Sequence, residues 1–108
     1  MPYVKLDTLE EQEIVPGFKA VFTHTDHMTL AYWTVEEGAV LPEHAHHYEQ
    51  ITNLMEGTFE MIVDGETRVC EAGDAAVIPA NIVHCGKALT PCKIIDAFYP
   101  VREDFKNR

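Results

Sequence analysis

The histidines in the middle of the chain are the residues best suited to chemistry. His44 and His46 are two residues apart, Gln50 follows four residues later, and His84 stands alone downstream. On one continuous strand the side chains of His44, His46 and Gln50 would project to the same face, unless a bulge precedes Gln50. With His84 they would supply three imidazole nitrogens and one amide oxygen to a divalent metal ion, with Zn, Ni, Fe and Mn all open.

The charge of this donor set predicts the kind of ligand. Three neutral imidazoles and a neutral amide leave a bound dication with its full charge, which strengthens its attraction for an anionic oxygen. The alternative is that these histidines are polar residues at the mouth of a barrel that holds no ion. His24, His27 and His47 have no partner at ligand spacing, and we expect them at the surface.

The pattern of strands and turns predicts an all-β barrel or sandwich that positions these side chains. Turn residues recur at short intervals, and the runs between them are rich in Val, Ile, Thr, Phe and Tyr. Asp64-Gly65 has the form of a two-residue hairpin turn. The segment 6–13 could form a short helical turn or an edge strand, and the polar tail 103–108 is expected to fray. The predicted strands are 18–22, 29–35, 50–55, 58–63, 67–70, 75–78 and 93–99.

Length and charge restrict the possible functions. A chain of 108 residues has room for one domain, 1–108, and its net charge of −10 without a basic stripe argues against nucleic acid as a partner. No long apolar run or secretory leader is evident, so we expect a cytoplasmic protein that does not enter a membrane. Three cysteines without metal-ligand spacing are expected to be free buried thiols.

The spacing of these residues resembles the two sequence motifs of the cupin superfamily. The resemblance implies a single-domain double-stranded β-helix, or jelly-roll barrel, with motif 1 at about 38–57 and motif 2 at about 73–88. Gln50 replaces the usual glutamate, Asn81 replaces a glycine and Ala88 replaces an asparagine. The positions that match are Gly38, His44, His46 and Gly57 in motif 1, and Gly73, Pro79 and His84 in motif 2.

The last predicted strand narrows the resemblance to one group within the cupin superfamily. Ile94, Asp96 and Phe98 share one face, so a carboxylate interrupts a strand that otherwise looks buried. Pro100 ends the strand and would turn the chain so that Arg102 folds back over the barrel mouth. The pattern of Asp96, Phe98 and Arg102 is similar to that of the small KdgF-type pectin-degradation cupins. That resemblance implies ring opening and tautomerisation of 4,5-unsaturated uronate monosaccharides to the linear keto form.

The roles expected from this resemblance follow the chemistry of the substrate. The metal would stabilise a developing oxyanion, Asp96 would shuttle the proton, Arg102 would pair with the uronate carboxylate, and Phe98 would form an apolar wall. Asp96 could instead form a structural salt bridge with Arg102 or Lys93, and Phe98 could be plain core. The resemblance also implies a homodimer.

Two other functions stay open at this point. One is a metal-dependent dioxygenase, although the neutral amide of Gln50 stabilises oxidised iron less well than a carboxylate does. The other is a non-catalytic module that binds a sugar or small acid. A small anionic sugar is the partner expected for the uronate isomerase and for the binding module.

Overall fold

The computed structural model describes residues 2–107, which fold into ten strands, one short 3-10 helix at Leu6–Thr8 and one helix, α1, at Glu103–Lys106. This confirms the all-β prediction. Met1 and Arg108, the ends of the predicted domain, lie outside the described residues. The strands are β1 (Gln12–Val15), β2 (Phe18–His24), β3 (Thr29–Val35), β4 (Val40–His44), β5 (Glu49–Glu56), β6 (Thr58–Val63), β7 (Glu66–Glu71), β8 (Ala75–Ile78), β9 (His84–Ala88) and β10 (Cys92–Tyr99).

The strands form two antiparallel sheets that enclose the core. The first sheet has the order β1-β2-β3-β10-β5-β8, and the second has the order β4-β9-β6-β7. Along β10 the buried residues alternate with more exposed ones, as expected for a strand with one face towards a core. The inward side chains of both sheets meet in a main cluster, which includes Phe18, Leu54, Phe59, Ile78 and Ile94. A smaller second cluster contains Ala31, Phe98 and Phe105. Neither helix in residues 2–107 has the length and apolar character needed to cross a bilayer.

The turns follow the local chemistry of their residues. Asp64 and Gly65 have φ values of 50° and 79°, and Val63 pairs with Glu66 across them, so the predicted two-residue hairpin is confirmed. Asn81 also adopts a positive φ, 67°, which asparagine tolerates better than most residues.

Two strands that carry histidines were missed by the sequence reasoning. β4 contains Pro42 and Glu43 and is mostly exposed, whereas β9 contains no β-branched residue. Both lack the composition that usually signals a strand. Their conformation is determined by pairing, since β9 pairs with β4 on one side and with β6 on the other. The segment 6–13 contains both structures that were predicted as alternatives: the 3-10 helix and the start of edge strand β1.

The prediction that the tail frays is wrong for residues 103–107. Residues Glu103–Lys106 form α1, and Phe105 is only 7% exposed. Its ring stacks on Phe22 with a centroid separation of 4.6 Å. One apolar side chain among polar neighbours thus anchors the C-terminal turn, since its burial offsets the entropy lost on ordering the segment.

Candidate metal centre and active site

The predicted metal ligands come together, but not on one strand. β4 ends at His44 and β5 begins at Glu49, so His44 and Gln50 belong to different sheets and His46 lies in the link between them. The single-strand interpretation is therefore wrong, because the chain changes sheets at this point. The fourth residue, His84, pairs directly with His44 across β4 and β9.

The three histidines form a compact cluster. One ring nitrogen from each lies within 4.8 Å of one from each of the others. Each Nδ1 faces a backbone carbonyl oxygen, so this nitrogen carries the proton and the Nε2 lone pair is free to bind a cation. The Nδ1–oxygen distances are 2.8 Å from His44 to Pro42, 3.1 Å from His46 to Tyr48 and 2.9 Å from His84 to Ile82.

Gln50 completes a donor set that suits a divalent cation. Its Oε1 lies 3.0 Å from Nε2 of His46, so two lone-pair atoms face each other. A divalent cation held by these two donors would resolve this conflict, because both atoms would then direct their lone pairs at positive charge. Nε2 of His84 is buried and has no hydrogen-bond partner in residues 2–107. Burial lowers the pKa of both His46 and His84, which favours the neutral form that binds metal.

Thr52 orients the amide of Gln50. The amide nitrogen of Gln50 donates a hydrogen bond of 2.9 Å to Oγ1 of the buried Thr52. Because the NH₂ group is held on that side, the amide oxygen is directed towards His46. The two-residue spacing of Gln50 and Thr52 on β5 indicates that their side chains share a face. It identifies a contact in the site only once this face is known to be buried.

Asp96 is a buried carboxylate at the same site. It is 7% exposed, and its Oδ2 accepts a hydrogen bond of 2.9 Å from Nε1 of Trp33. Burial raises the pKa of Asp96 to about 6, and nearby polar groups, of which Thr52 is the strongest, partly offset this rise. No ion pair joins Asp96 to Arg102 or Lys93 within residues 2–107.

Arg102 folds back over the cavity after Pro100. Its side chain is 13% exposed, and its backbone N–H donates to Oγ1 of Thr29 at 2.9 Å. Nε and Nη2 donate to the two carboxylate oxygens of Asp104 at 3.1 and 2.7 Å. The Nη1 amino group forms no hydrogen bond with the described residues and is left for a ligand. Three rings surround the guanidinium carbon, with centroids 4.4 Å away for Tyr48, 4.7 Å for Phe98 and 3.9 Å for Phe105.

These groups line one cavity of about 340 Å³, which is at the lower end of the range for small-molecule sites. The sequence reasoning missed the contributions of Trp33 and Asp104, and the apolar rim formed by β1 and β4. The predicted site residues that border the cavity are His44, His46, Gln50, Asp96, Phe98 and Arg102, and His84 is the cross-strand neighbour of His44.

Comparison with known proteins places the chain in a family. A family model described as a cupin domain matches residues 31–98, which include all four predicted metal ligands. The chain belongs to the cupin family. The two sheets are those of the predicted cupin fold, and the correspondence of the motifs in 38–57 and 73–88 is therefore not accidental.

Three proteins illustrate the similarity. Pectin degradation protein KdgF of Dickeya dadantii (strain 3937) is 31% identical over 97 residues, which cover 87% of this chain and 88% of the relative. The structure of KdgF from Halomonas sp. has a TM-score of 0.86 and 34% identity, covering 91% of this chain and 94% of that one. An RmlC-like cupin from Shewanella frigidimarina NCIMB 400 has a TM-score of 0.92 and 29% identity, covering 97% and 96%.

Proposed function

We propose that this protein is a metal-dependent isomerase that opens and tautomerises 4,5-unsaturated uronate monosaccharides in pectin catabolism. The observation that carries the proposal is the meeting, in one cavity, of a cation-binding histidine cluster, a buried carboxylate and an arginine with a free edge. The similarity to the pectin degradation protein KdgF and to the KdgF structure supports a role in pectin degradation. The volume of the cavity suits a monosaccharide better than an oligosaccharide.

Arg102 would recognise the carboxylate of the substrate. Its Nε edge is held by Asp104, so the guanidinium does not have to be ordered when the ligand binds. The Nη1 group and the second N–H of Nη2 point along the other edge of the planar fork, which can hold a carboxylate with two hydrogen bonds. Phe98 packs beneath the guanidinium and offers an apolar surface to the sugar ring.

Asp96 would move the proton. Its carboxylate accepts the proton of the anomeric hydroxyl while the bond from C1 to the ring oxygen breaks, so that C1 becomes an aldehyde. The electron pair of that bond stays on the ring oxygen, which becomes an enolate joined to the C4–C5 double bond. Asp96 then gives the proton to C4 and the ring oxygen becomes the C5 ketone. The sum is an isomerisation that consumes no oxidant, reductant or water.

His44, His46, Gln50 and His84 would hold the metal ion beside this reaction. A bound divalent cation would supply Lewis-acid stabilisation for the negative charge that develops on oxygen. Because all four donors are neutral, the protein itself adds no negative charge that would weaken this effect.

A time-resolved NMR assay tests the proposal. The vinyl proton of the 4,5-unsaturated galacturonate monosaccharide is followed with and without metal-loaded protein. We expect faster loss of this signal with the wild type and no acceleration with Asp96→Asn, whereas Asp26→Asn, the same change at an exposed turn, should behave like the wild type. A wild-type rate equal to the uncatalysed rate would contradict the proposal. Tight binding without turnover would then favour the binding module, and oxygen uptake the dioxygenase.

A further inference from the structure

Trp33 contacts Asp96 because of the register of β3 and β10. Ile94 is opposite Trp33 and Asp96 is opposite Ala31, so the indole reaches Asp96 along the diagonal between the two strands. Ala31 is fully buried and carries only a methyl group, which leaves room for the indole to lie across it. The hydrogen bond from Nε1 to Oδ2 is 2.9 Å long and lies largely out of water.

This contact makes the two oxygens of Asp96 different. An indole N–H can only donate a hydrogen bond, so Oδ2 is held as an acceptor. Oδ1 is also buried and makes no hydrogen bond of good geometry within residues 2–107, although Thr52 and Gln50 are near enough to the carboxylate to lower its pKa, and Asp96 borders the cavity. A buried polar atom without a partner is rare and often marks a reactive position.

We propose that Trp33 is a positioning residue that holds the Asp96 carboxylate in one orientation, so that Oδ1 is the oxygen that exchanges the proton with the substrate. The inference rests on the proposed function and adds a residue and an atom to it. A carboxylate fixed in this way delivers its proton to C4 from one side. One of the two hydrogens of the new CH₂ group therefore comes from a defined face of the substrate.

The decisive substitution removes only the N–H group. Trp33 is the only tryptophan in the chain, so growth of a tryptophan auxotroph with β-(3-benzothienyl)alanine replaces this residue alone, with sulfur in place of N–H. The ring keeps its edge contacts with Phe18, Phe22 and Phe105. We expect kcat to fall by about ten- to a hundredfold, the range for loss of a hydrogen bond to a charged group, with KM nearly unchanged because Arg102 still binds the carboxylate.

The reaction in D₂O supplies a readout that a packing defect would not change. With the wild type, NMR of the product should show deuterium on one face of C4. In the substituted protein slower delivery from Asp96 lets solvent protonate the enolate from either side, so a mixture of both faces should form. Trp33→Phe, made by ordinary mutagenesis, should lose the same selectivity. An unchanged kcat together with unchanged selectivity would overturn the inference, while failure of the wild type to accelerate the reaction would overturn the proposed function instead.

A second measurement does not depend on activity. ¹⁵N-labelled tryptophan gives one indole N–H resonance, whose exchange with water reports on the hydrogen bond to Asp96. We expect exchange to be at least tenfold faster in Asp96→Leu, which fills the space but removes the acceptor, than in Asp104→Asn, which also changes a carboxylate of the cavity but leaves Asp96 in place. Equal exchange in both variants would show that Oδ2 does not hold the indole.

Discussion

Arg102→Lys separates the geometry of the guanidinium from its charge. The substitution keeps one positive charge and a long side chain, but it removes the planar fork that donates to Asp104 along one edge. It also removes the flat group that lies within 4.7 Å of three ring centroids. We expect both substrate binding and stability to fall.

The size of each effect follows from the contacts. An ammonium group cannot reproduce the two parallel hydrogen bonds to a carboxylate, and one hydrogen bond to a charged group is worth about 1.5 to 3 kcal/mol, or roughly a ten- to hundredfold rise in KM. The side chain is only 13% exposed, so its stacking is largely shielded from water. At about 0.5 to 1 kcal/mol for each ring contact, part of which a lysine retains, the loss of stability should be about 1 to 2 kcal/mol, or roughly 5 to 10 °C in Tm.

KM from NMR progress curves and Tm from calorimetry measure the two effects. Arg68→Lys is the matched control, because Arg68 is 72% exposed and its contact with Glu66 is 3.8 Å long. That variant should match the wild type in KM and lie within about 0.5 kcal/mol in stability. If Arg102→Lys left KM unchanged, positive charge alone would be sufficient and the role assigned to the planar fork would be wrong.

Three further predictions concern the metal, its support and pH. His84→Ala should reduce the metal content measured by elemental analysis to near zero, whereas the exposed His47→Ala should retain it. Thr52→Val should weaken metal binding by about tenfold in a chelator competition, because the amide of Gln50 loses its hydrogen-bond acceptor; unchanged affinity would contradict this orienting role. Hydrogen bonds from the neighbouring guanidinium lower the pKa of Asp104, so its stabilising contribution is complete above the unfolded pKa of about 3.9 and is lost as pH falls through the lower folded pKa. The Tm difference between wild type and Asp104→Asn should therefore vanish towards pH 2, and a constant difference would argue against the ion pair.

The sequence was sufficient to predict the seven strands with strong β-forming composition and the hairpin at Asp64-Gly65. Their signals are local: alternating apolar residues and a dipeptide that accepts positive φ. β4 and β9 have no such signal, since their conformation depends on pairing with distant strands. The order in α1 likewise comes from Phe105, whose contact with Phe22 joins opposite ends of the chain.

At the site, residue types were more informative than local geometry. The histidine spacing identified residues that lie together, although the reason given for it, a single continuous strand, was wrong. Trp33 could not be found in this way, because it acts through a cross-strand register that no short pattern encodes. Thr52 is only two residues from Gln50, but this spacing is informative only once β5 is known to turn both side chains inward. Arg102 and Asp104 are only two residues apart in the sequence. Their ion pair could not be recognised as part of the site until the chain was seen to turn back over the cavity.

The most direct test of the central proposal is the rate at which purified, metal-loaded protein removes the vinyl proton signal of a 4,5-unsaturated galacturonate monosaccharide. We predict acceleration over the spontaneous reaction that disappears when a chelator removes the metal, returns when the metal is restored, and is absent in Asp96→Asn. A rate that equals the uncatalysed one for protein with a full metal content would contradict the account.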